Sequence, residues 1–374
     1  MPQRWMKTLL AMVSAAVLFT ACKGTYSNDE PLPEEFTPSL FITSKNEFLY
    51  ALDPNTGVKK WEYYVGDNVQ ATPIILGEFL FLPTQDTLVK MDAKRGTVIK
   101  KYRFPKENFT SFVSSPTGEG TMVYQGSTNG NIYALDANID TFKWIVNTGA
   151  PIISSPILYK GQLYVVNNSG KIYSIDVSNG ATNWTYTLGG TTTSSPAIAE
   201  PYLFVGAEDG KMYAINLSDG TKKWDYQTGG MILSSPIAYG GNVMFGSNDH
   251  FVYCIDTVAA KERWKYETAD RVISSPVAAR QTVYIAGLDY NMYAINIIDG
   301  TEKWRFKTNA LIRSTPVLYD KTLYFGSFDK SMYAVDTNGY LRWSKSVDGL
   351  VESSPIIWDL SKTYYPAISG LSAY

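Results

Sequence analysis

The chain holds one histidine and two cysteines in 374 residues. A His-rich zinc site, a Cys-x-x-Cys pair and a Ser–His–Asp triad each need residues that are scarce or absent here. Charge is sparse too. Charged residues make up 18% of the chain, and 33 basic residues nearly balance 35 acidic ones. A nucleic-acid partner is not expected, because no basic excess is present to neutralise phosphates. No segment shows a helical apolar period. What the chain does have is aromatic surface, 14% of its residues, with 27 Tyr and 9 Trp. That much apolar area to bury argues for a folded chain rather than a disordered one. The length alone would allow two domains.

The first residues read as an address. Residues 1–21 carry Arg4 and Lys7, then an apolar run from Leu9 to Phe19, then Thr20, Ala21 and Cys22. A basic start, a short apolar core and small residues at the cut make a signal peptide. The run is too short to span ~30 Å of hydrocarbon. Its end, Leu18-Phe19-Thr20-Ala21-Cys22, resembles a bacterial lipobox, although Phe19 stands where Leu is usual. The resemblance implies that Cys22 is the lipid-modified first residue of the mature chain, and Lys23 after it favours the outer membrane. The mature chain then has 31 basic and 35 acidic residues, a net charge of −4. Residues 22–38, with Asp29, Glu30, Glu34, Glu35 and three prolines, read as an extended tether. An acidic tether does not bind anionic lipid, so the lipid anchor alone is expected to hold the protein to the membrane.

Residues 39–374 read as a single domain made of one repeat. Trp stands at Trp61, Trp144, Trp184, Trp224, Trp264, Trp304 and Trp343, with Tyr102 read as filling the gap. A second column moves in phase, running from Ala71-Thr72-Pro73 through Ser194-Ser195-Pro196 to Ser353-Ser354-Pro355. A third reads Tyr50-Ala51-Leu52-Asp53, Tyr133-Ala134-Leu135-Asp136 and onward to Tyr333. Within 194–233 the period predicts four strands: 195–199, 202–206, 211–216 and 223–226. Glu208-Asp209-Gly210 and Leu217-Ser218-Asp219-Gly220 supply the tight turns. A Trp-marked, four-stranded repeat of about 40 residues predicts an all-β, eight-bladed β-propeller of antiparallel blades. Residues 39–65 lack a first strand, which 353–359 supply to close the ring. Residues 363–374 then look like a surplus second and third strand.

The repeating residues have structural explanations. Each Trp is expected to wedge between blades, with its N–H on a carbonyl. The Asp or Asn at 53, 136, 176, 216, 256, 296 and 336 is expected to bond the backbone two residues on. The column Asn46, Asn129, Ser169, Asp209, Asp249, Asp289 and Asp329 sits in hairpin tips, where turn chemistry is preferred over calcium because the carboxylates lie on different blades. His250 is read as a turn residue on the rim and Cys254 as a small buried one.

The unit Leu323-Tyr324-Phe325-Gly326-Ser327, Met332-Tyr333-Ala334-Val335-Asp336 and Trp343 resembles the repeat of pyrroloquinoline-quinone (PQQ)-type propellers. So does Gly-x-x-x-Trp in 180–184, 220–224 and 300–304. With the lipobox, the chain looks like the propeller lipoproteins of the outer-membrane β-barrel assembly machinery, the BamB-like group. That resemblance implies a non-catalytic scaffold without cofactor or metal. It also implies an envelope protein partner in the barrel-assembly machinery, and a monomer within that complex on the periplasmic side of the outer membrane, with exposure at the cell surface as the alternative. The alternatives are a propeller lipoprotein of another envelope complex, a binder of a cell-surface polymer, and a PQQ-dependent dehydrogenase. The dehydrogenase is disfavoured by the absence of a Cys-Cys pair and of the insertions that build a catalytic cap.

A candidate binding surface lies just before the Ser-Ser-Pro column. The second residue back is nearly always apolar: Val69, Phe112, Ile152, Thr192, Ile232, Val272, Ile312 and Val351. The next residue points the other way in an extended chain. It is Gln70, Val113, Ile153, Thr193, Leu233, Ile273, Arg313 and Glu352. Val113, Ile153, Leu233, Ile273 and Arg313 are the candidate partner-binding residues, because an apolar arc beside a charge suits an interaction surface. A plug for the central channel is the equal alternative. The opposite face is expected to repeat polar turns.

Overall fold

The computed structural model describes residues 36–67, 69–104, 111–360 and 362–364. Cys22, the signal peptide and all but the last three residues of the tether lie outside them. Among the described residues the strands form eight antiparallel sheets, and the chain from Thr37 onward is one compact unit. Blades 1 to 7 occupy 74–103, 117–147, 157–187, 197–227, 237–267, 277–307 and 317–346, each running in chain order from inner to outer strand. Blade 4 is representative, with strands Ala197–Ala199, Tyr202–Gly206, Lys211–Asn216 and Lys222–Gln227. The first strand starts after Pro196, not at Ser195, because the serines before it bond to neighbouring blades. The second and third strands are buried on both faces, so they read as apolar runs. The fourth strand alternates because it lies at the rim.

Blade 8 joins the two ends of the chain. Ile356–Asp359 is its first strand and pairs with Ser39–Ser44, matching Ile357 to Leu40. Phe48–Leu52 and Lys59–Tyr64 complete it. Lys362–Tyr364 turns back onto Ile356–Asp359 as a fifth strand. It cannot take the usual second-strand place, because Ser39–Ser44 already holds that edge. It therefore adds to the remaining edge, beside the first strand of blade 7. The surplus third strand expected in the tail falls outside the described residues.

Neighbouring blades are joined by one repeated contact. The indole N–H of Trp144 donates to the Val177 carbonyl at 2.9 Å, and Trp184 does the same to Leu217 at 3.0 Å. Trp224, Trp264, Trp304 and Trp343 bond Thr257, Ile297, Thr337 and Pro54 in the same way. Each acceptor lies in the third-to-fourth turn of the next blade. The ring of Trp184 covers Gly220, where an added Cβ would come within 2.5 Å of the indole and φ is +73°. Glycine is needed there twice, for the left-handed backbone and for the space. Trp61 covers Gly96 in the same way, but its buried N–H finds no acceptor among the described residues.

Tyr102 does not occupy the Trp column. The register pairs Lys90 with Lys100, where blade 4 pairs Ala214 with Trp224. Lys100 therefore stands in the Trp place, and Tyr102 is the counterpart of Tyr226. Lys100 forms an ion pair with Asp140, which replaces the turn glycine of blade 2. Tyr102 instead packs edge-on against Phe104 and Phe142. An aromatic two residues from the gap was the wrong marker, because at this seam a salt bridge replaces the ring contact.

Candidate functional site

The Ser-Ser-Pro segments form the inner wall. Ser115 N–H donates to Ser155 Oγ at 3.0 Å, Ser155 to Ser195 at 2.9 Å, Ser195 to Ser235 at 2.9 Å and Ser235 to Ser275 at 3.0 Å. Thr72 N–H bonds Ser115 Oγ, and Thr315 N–H bonds Ser354 Oγ. Each bond crosses from one blade to the next, so the hydroxyls lace the first strands together around the axis. The serine before each one turns inward; Ser154 Oγ donates to the Val166 carbonyl and Ser314 Oγ to that of Gly326.

On this rigid base the residues ahead of the serines alternate. Val69, Phe112, Ile152, Thr192, Ile232, Val272, Ile312 and Val351 are all buried. The next column is not buried in any blade. Val113, Ile153, Thr193, Leu233, Ile273 and Glu352 are half-buried, while Gln70 and Arg313 are exposed. Leu233, Ile273 and Arg313 precede the first strands of blades 5, 6 and 7, and so sit side by side.

Arg313 is not a free cation. It donates to Glu352 Oε1 at 3.1 Å, and Lys45 lies 2.7 Å from Glu352 Oε2. Both cations also stand over the Phe328 ring, at 5.3 and 5.6 Å. Burial raises the Glu352 carboxyl, but the bonds from Lys45 and Arg313 outweigh it and hold the group below the ordinary carboxylate range. Two cations around one anion leave a local net charge of +1. Lys45 and Phe328 were not singled out from the sequence. They occupy one column, immediately before the Asn/Asp hairpin column, that also holds Asn168, Glu208 and Leu288. Its changing character from blade to blade was the available signal.

The hairpin carboxylates work locally. Asp209 and Asp289 accept from Tyr213 and Tyr293, and Asp249 accepts from Tyr253 at 2.6 Å. The other carboxylate oxygen takes the backbone N–H two residues on, as Lys211 to Asp209 at 3.0 Å. Asp249 and Asp289 further accept from Gly229 and Ala269, in the loops that enter their own blades from the preceding one. Burial, then the bonded carboxylate, raises Tyr213, Tyr253, Tyr293 and Tyr333 well above the ordinary phenol range. No cluster of three or more potential metal ligands occurs among the described residues. His250 lies exposed in its turn at φ +75°. Cys254 is buried, and burial pushes its thiol up to about 12.

The opposite face carries the third-to-fourth turns. There Asp53, Asp92, Asp136, Asp176, Asp256, Asn296 and Asp336 each accept the N–H two residues on. The turns are not uniformly polar, contrary to the expectation from the repeat. Val258, Ile298, Tyr340 and Val58, from blades 5, 6, 7 and 8, are among the most exposed apolar side chains described. Turn chemistry fixes the Asp, the Gly and the Trp contact, and leaves the residues between them free to differ.

The comparisons agree with this architecture. BamB from Moraxella catarrhalis aligns over 79% of this chain and 95% of its own, at 15% identity and a TM-score of 0.67. The computationally designed Ika8 protein aligns at 13% identity over 79% and 95%, with a TM-score of 0.68. A quinohemoprotein alcohol dehydrogenase from Pseudomonas putida HK5 aligns over 78% of this chain and 69% of its own, at 15% identity and a TM-score of 0.62. At these identities the likeness is one of fold. The serine/threonine-protein kinase AfsK of Streptomyces griseus is 28% identical over 119 residues, which is 29% of this chain and 15% of the kinase. The family model for outer membrane protein assembly factor BamB matches residues 36–138, 128–252 and 230–359, most of the propeller, and the chain belongs to that family.

Proposed function

We propose that this protein is a non-catalytic scaffold of the bacterial envelope, anchored by lipid on Cys22, that aids outer-membrane β-barrel assembly by binding a protein subunit of that machinery. The observation that carries this reading is the inner ring. Leu233 and Ile273 offer apolar surface beside Arg313, which Glu352 and Phe328 hold in place. A pre-oriented Arg beside apolar neighbours that shed water is the composition of interface hot spots. The hydroxyl lacing beneath it limits what must be ordered on binding. Val113 and Ile153 extend the same ring toward blades 2 and 3. The Trp column belongs to blade docking instead.

Affinity capture from detergent-solubilised membranes tests this. Wild-type chain is expected to retain the barrel-inserting subunit. Leu233→Asp with Arg313→Glu should weaken capture at least tenfold while the chain stays folded, with only a modest fall in melting temperature from loss of the Arg313–Glu352 pair, since Leu233 is half-buried and Arg313 exposed. Charge changes at Asn179 and Asp219, on the opposite face in blades 3 and 4, should leave capture intact. Loss of capture with the second pair and not the first would reverse the assignment of faces.

A further inference from the structure

Among the described residues, five of the seven large apolar side chains that are more than half exposed lie on one face: Val58 at 57%, Val258 at 63%, Ile298 at 67%, Tyr340 at 72% and Leu360 at 60%. Val258, Ile298, Tyr340 and Val58 occupy the third-to-fourth turns of consecutive blades, and Leu360 follows the first strand of blade 8, before the added fifth strand. They form an arc across four neighbouring blades of the face. The turns of blades 2, 3 and 4 are polar instead, with Asp140, Asn179 and Asp219 exposed there. A monomeric propeller gains nothing from such an arc left in water.

The chain's own route says what covers it. Ser39 opens the second strand of blade 8, and second strands begin on the face that carries these turns. Lys60 Nζ fastens the incoming chain there, donating to the Thr37 carbonyl at 2.8 Å and the Pro38 carbonyl at 2.6 Å. The segment from Cys22 therefore joins the propeller in the same blade as Val58 and Leu360, at one end of the arc. Fourteen residues lie between Cys22 and Thr37. Fully extended they reach about 50 Å, at ~3.3–3.6 Å each. A lipid on Cys22 would therefore tether the propeller through the blade that carries Val58 and Leu360, at the end of the chain that enters on this face.

We infer that the arc of Val258, Ile298, Tyr340 and Val58 rests in the interfacial layer of the membrane that holds the lipid anchor, so that the inner ring faces away from the bilayer toward its protein partner. This rests on the lipidation of Cys22. Tyr340 carries an apolar body and a polar tip, which suits the headgroup level. Exposed Lys261, Arg280 and Lys321 flank the arc, but Asp299 shares one of its turns and Asp320 stands next to Lys321. Attachment is therefore apolar, and the surface it fits need not be anionic. Weak insertion suffices, because the tether holds the face at high local concentration.

The test uses the full-length lipoprotein, purified from membranes and reconstituted in phosphatidylethanolamine–phosphatidylglycerol vesicles. Cys254 is buried, so a single dye can be placed at Ile298→Cys or, on the ring face, at Met231→Cys. Spin-labelled lipid is expected to quench the Ile298→Cys dye at least threefold more than the Met231→Cys dye. A dye at Tyr340→Cys should be quenched too, and lose most of that quenching when Val258→Asp and Ile298→Asp are added, while the chain still floats with the vesicles. Flotation of the wild type and its loss in Cys22→Ser report the anchor separately. If the wild type fails to float, the anchor reading falls and this inference with it. Flotation with equal quenching on both faces overturns the inference alone. Dye protection in native membranes without quenching in protein-free vesicles would overturn it in favour of a protein on this face.

Discussion

At the residue scale, two kinds of seam hold the ring. Trp224 fills the junction between blades 4 and 5 and bonds the Thr257 carbonyl at 2.9 Å. Its truncation in Trp224→Ala should cost about 3–5 kcal/mol, the range for large aromatic losses in a core. Lys100 occupies the same register between blades 1 and 2, but it reaches Asp140 across a junction open to water. An exposed ion pair is worth roughly 0.2–1 kcal/mol. Lys100→Ala should therefore lower stability by less than about 1 kcal/mol. Urea denaturation of both variants checks the contrast; equal losses would mean that Lys100 is as deeply packed as the indoles.

At the element scale, the hairpin between second and third strands is tied twice, once to its own third strand and once to the loop that arrives from the preceding blade. Tyr253 donates to Asp249, and Asp249 accepts from Gly229 in that loop. Burial raises the Tyr253 phenol in the folded chain, and so does the bonded carboxylate. A raised folded value means the tie is at full strength below the unfolded phenol value of about 10 and is lost as pH rises above it. Stability should fall on the alkaline side of pH 10. Tyr253→Phe should be less stable at neutral pH and show a shallower alkaline decline. Chemical denaturation at pH 8 and pH 10.5 measures both, and an unchanged alkaline slope would remove Tyr253 from this coupling.

At the scale of the whole molecule, closure depends on pairing the two ends of the chain. Ser39–Ser44 and Ile356–Asp359 share an edge, and Ser353 Oγ donates to the Thr43 carbonyl at 2.9 Å. A chain ending at Glu352 would leave the Ser39–Ser44 edge unpaired and the Leu40 and Ile42 side chains without their cover. It should unfold well below wild type and with a broader transition, as calorimetry would show. A shift of only a degree or two would mean that the ring is held by its Trp seams alone.

The repeat made the fold legible. Three columns in one period report local needs: an Asp for the turn, a Gly for left-handed backbone, a Trp for the seam, a Ser-Ser-Pro for the inner wall. Local needs are written in local residues, so blade number, strand order and closure by residues 353–359 were readable from the chain. The ring column was readable too, because strand alternation separates it from its buried neighbour. Three things were decided only by tertiary structure. Lys100 takes the Trp place because register, not aromatic character, sets a column. Arg313 is held by Glu352 and Phe328, and Glu352 in turn by Lys45, residues as far apart as 45 and 352 that only ring closure brings together. The apolar arc exists because Val258, Ile298, Tyr340 and Val58 sit in turns nearly a blade apart in sequence, and only the circular stacking of blades makes them neighbours.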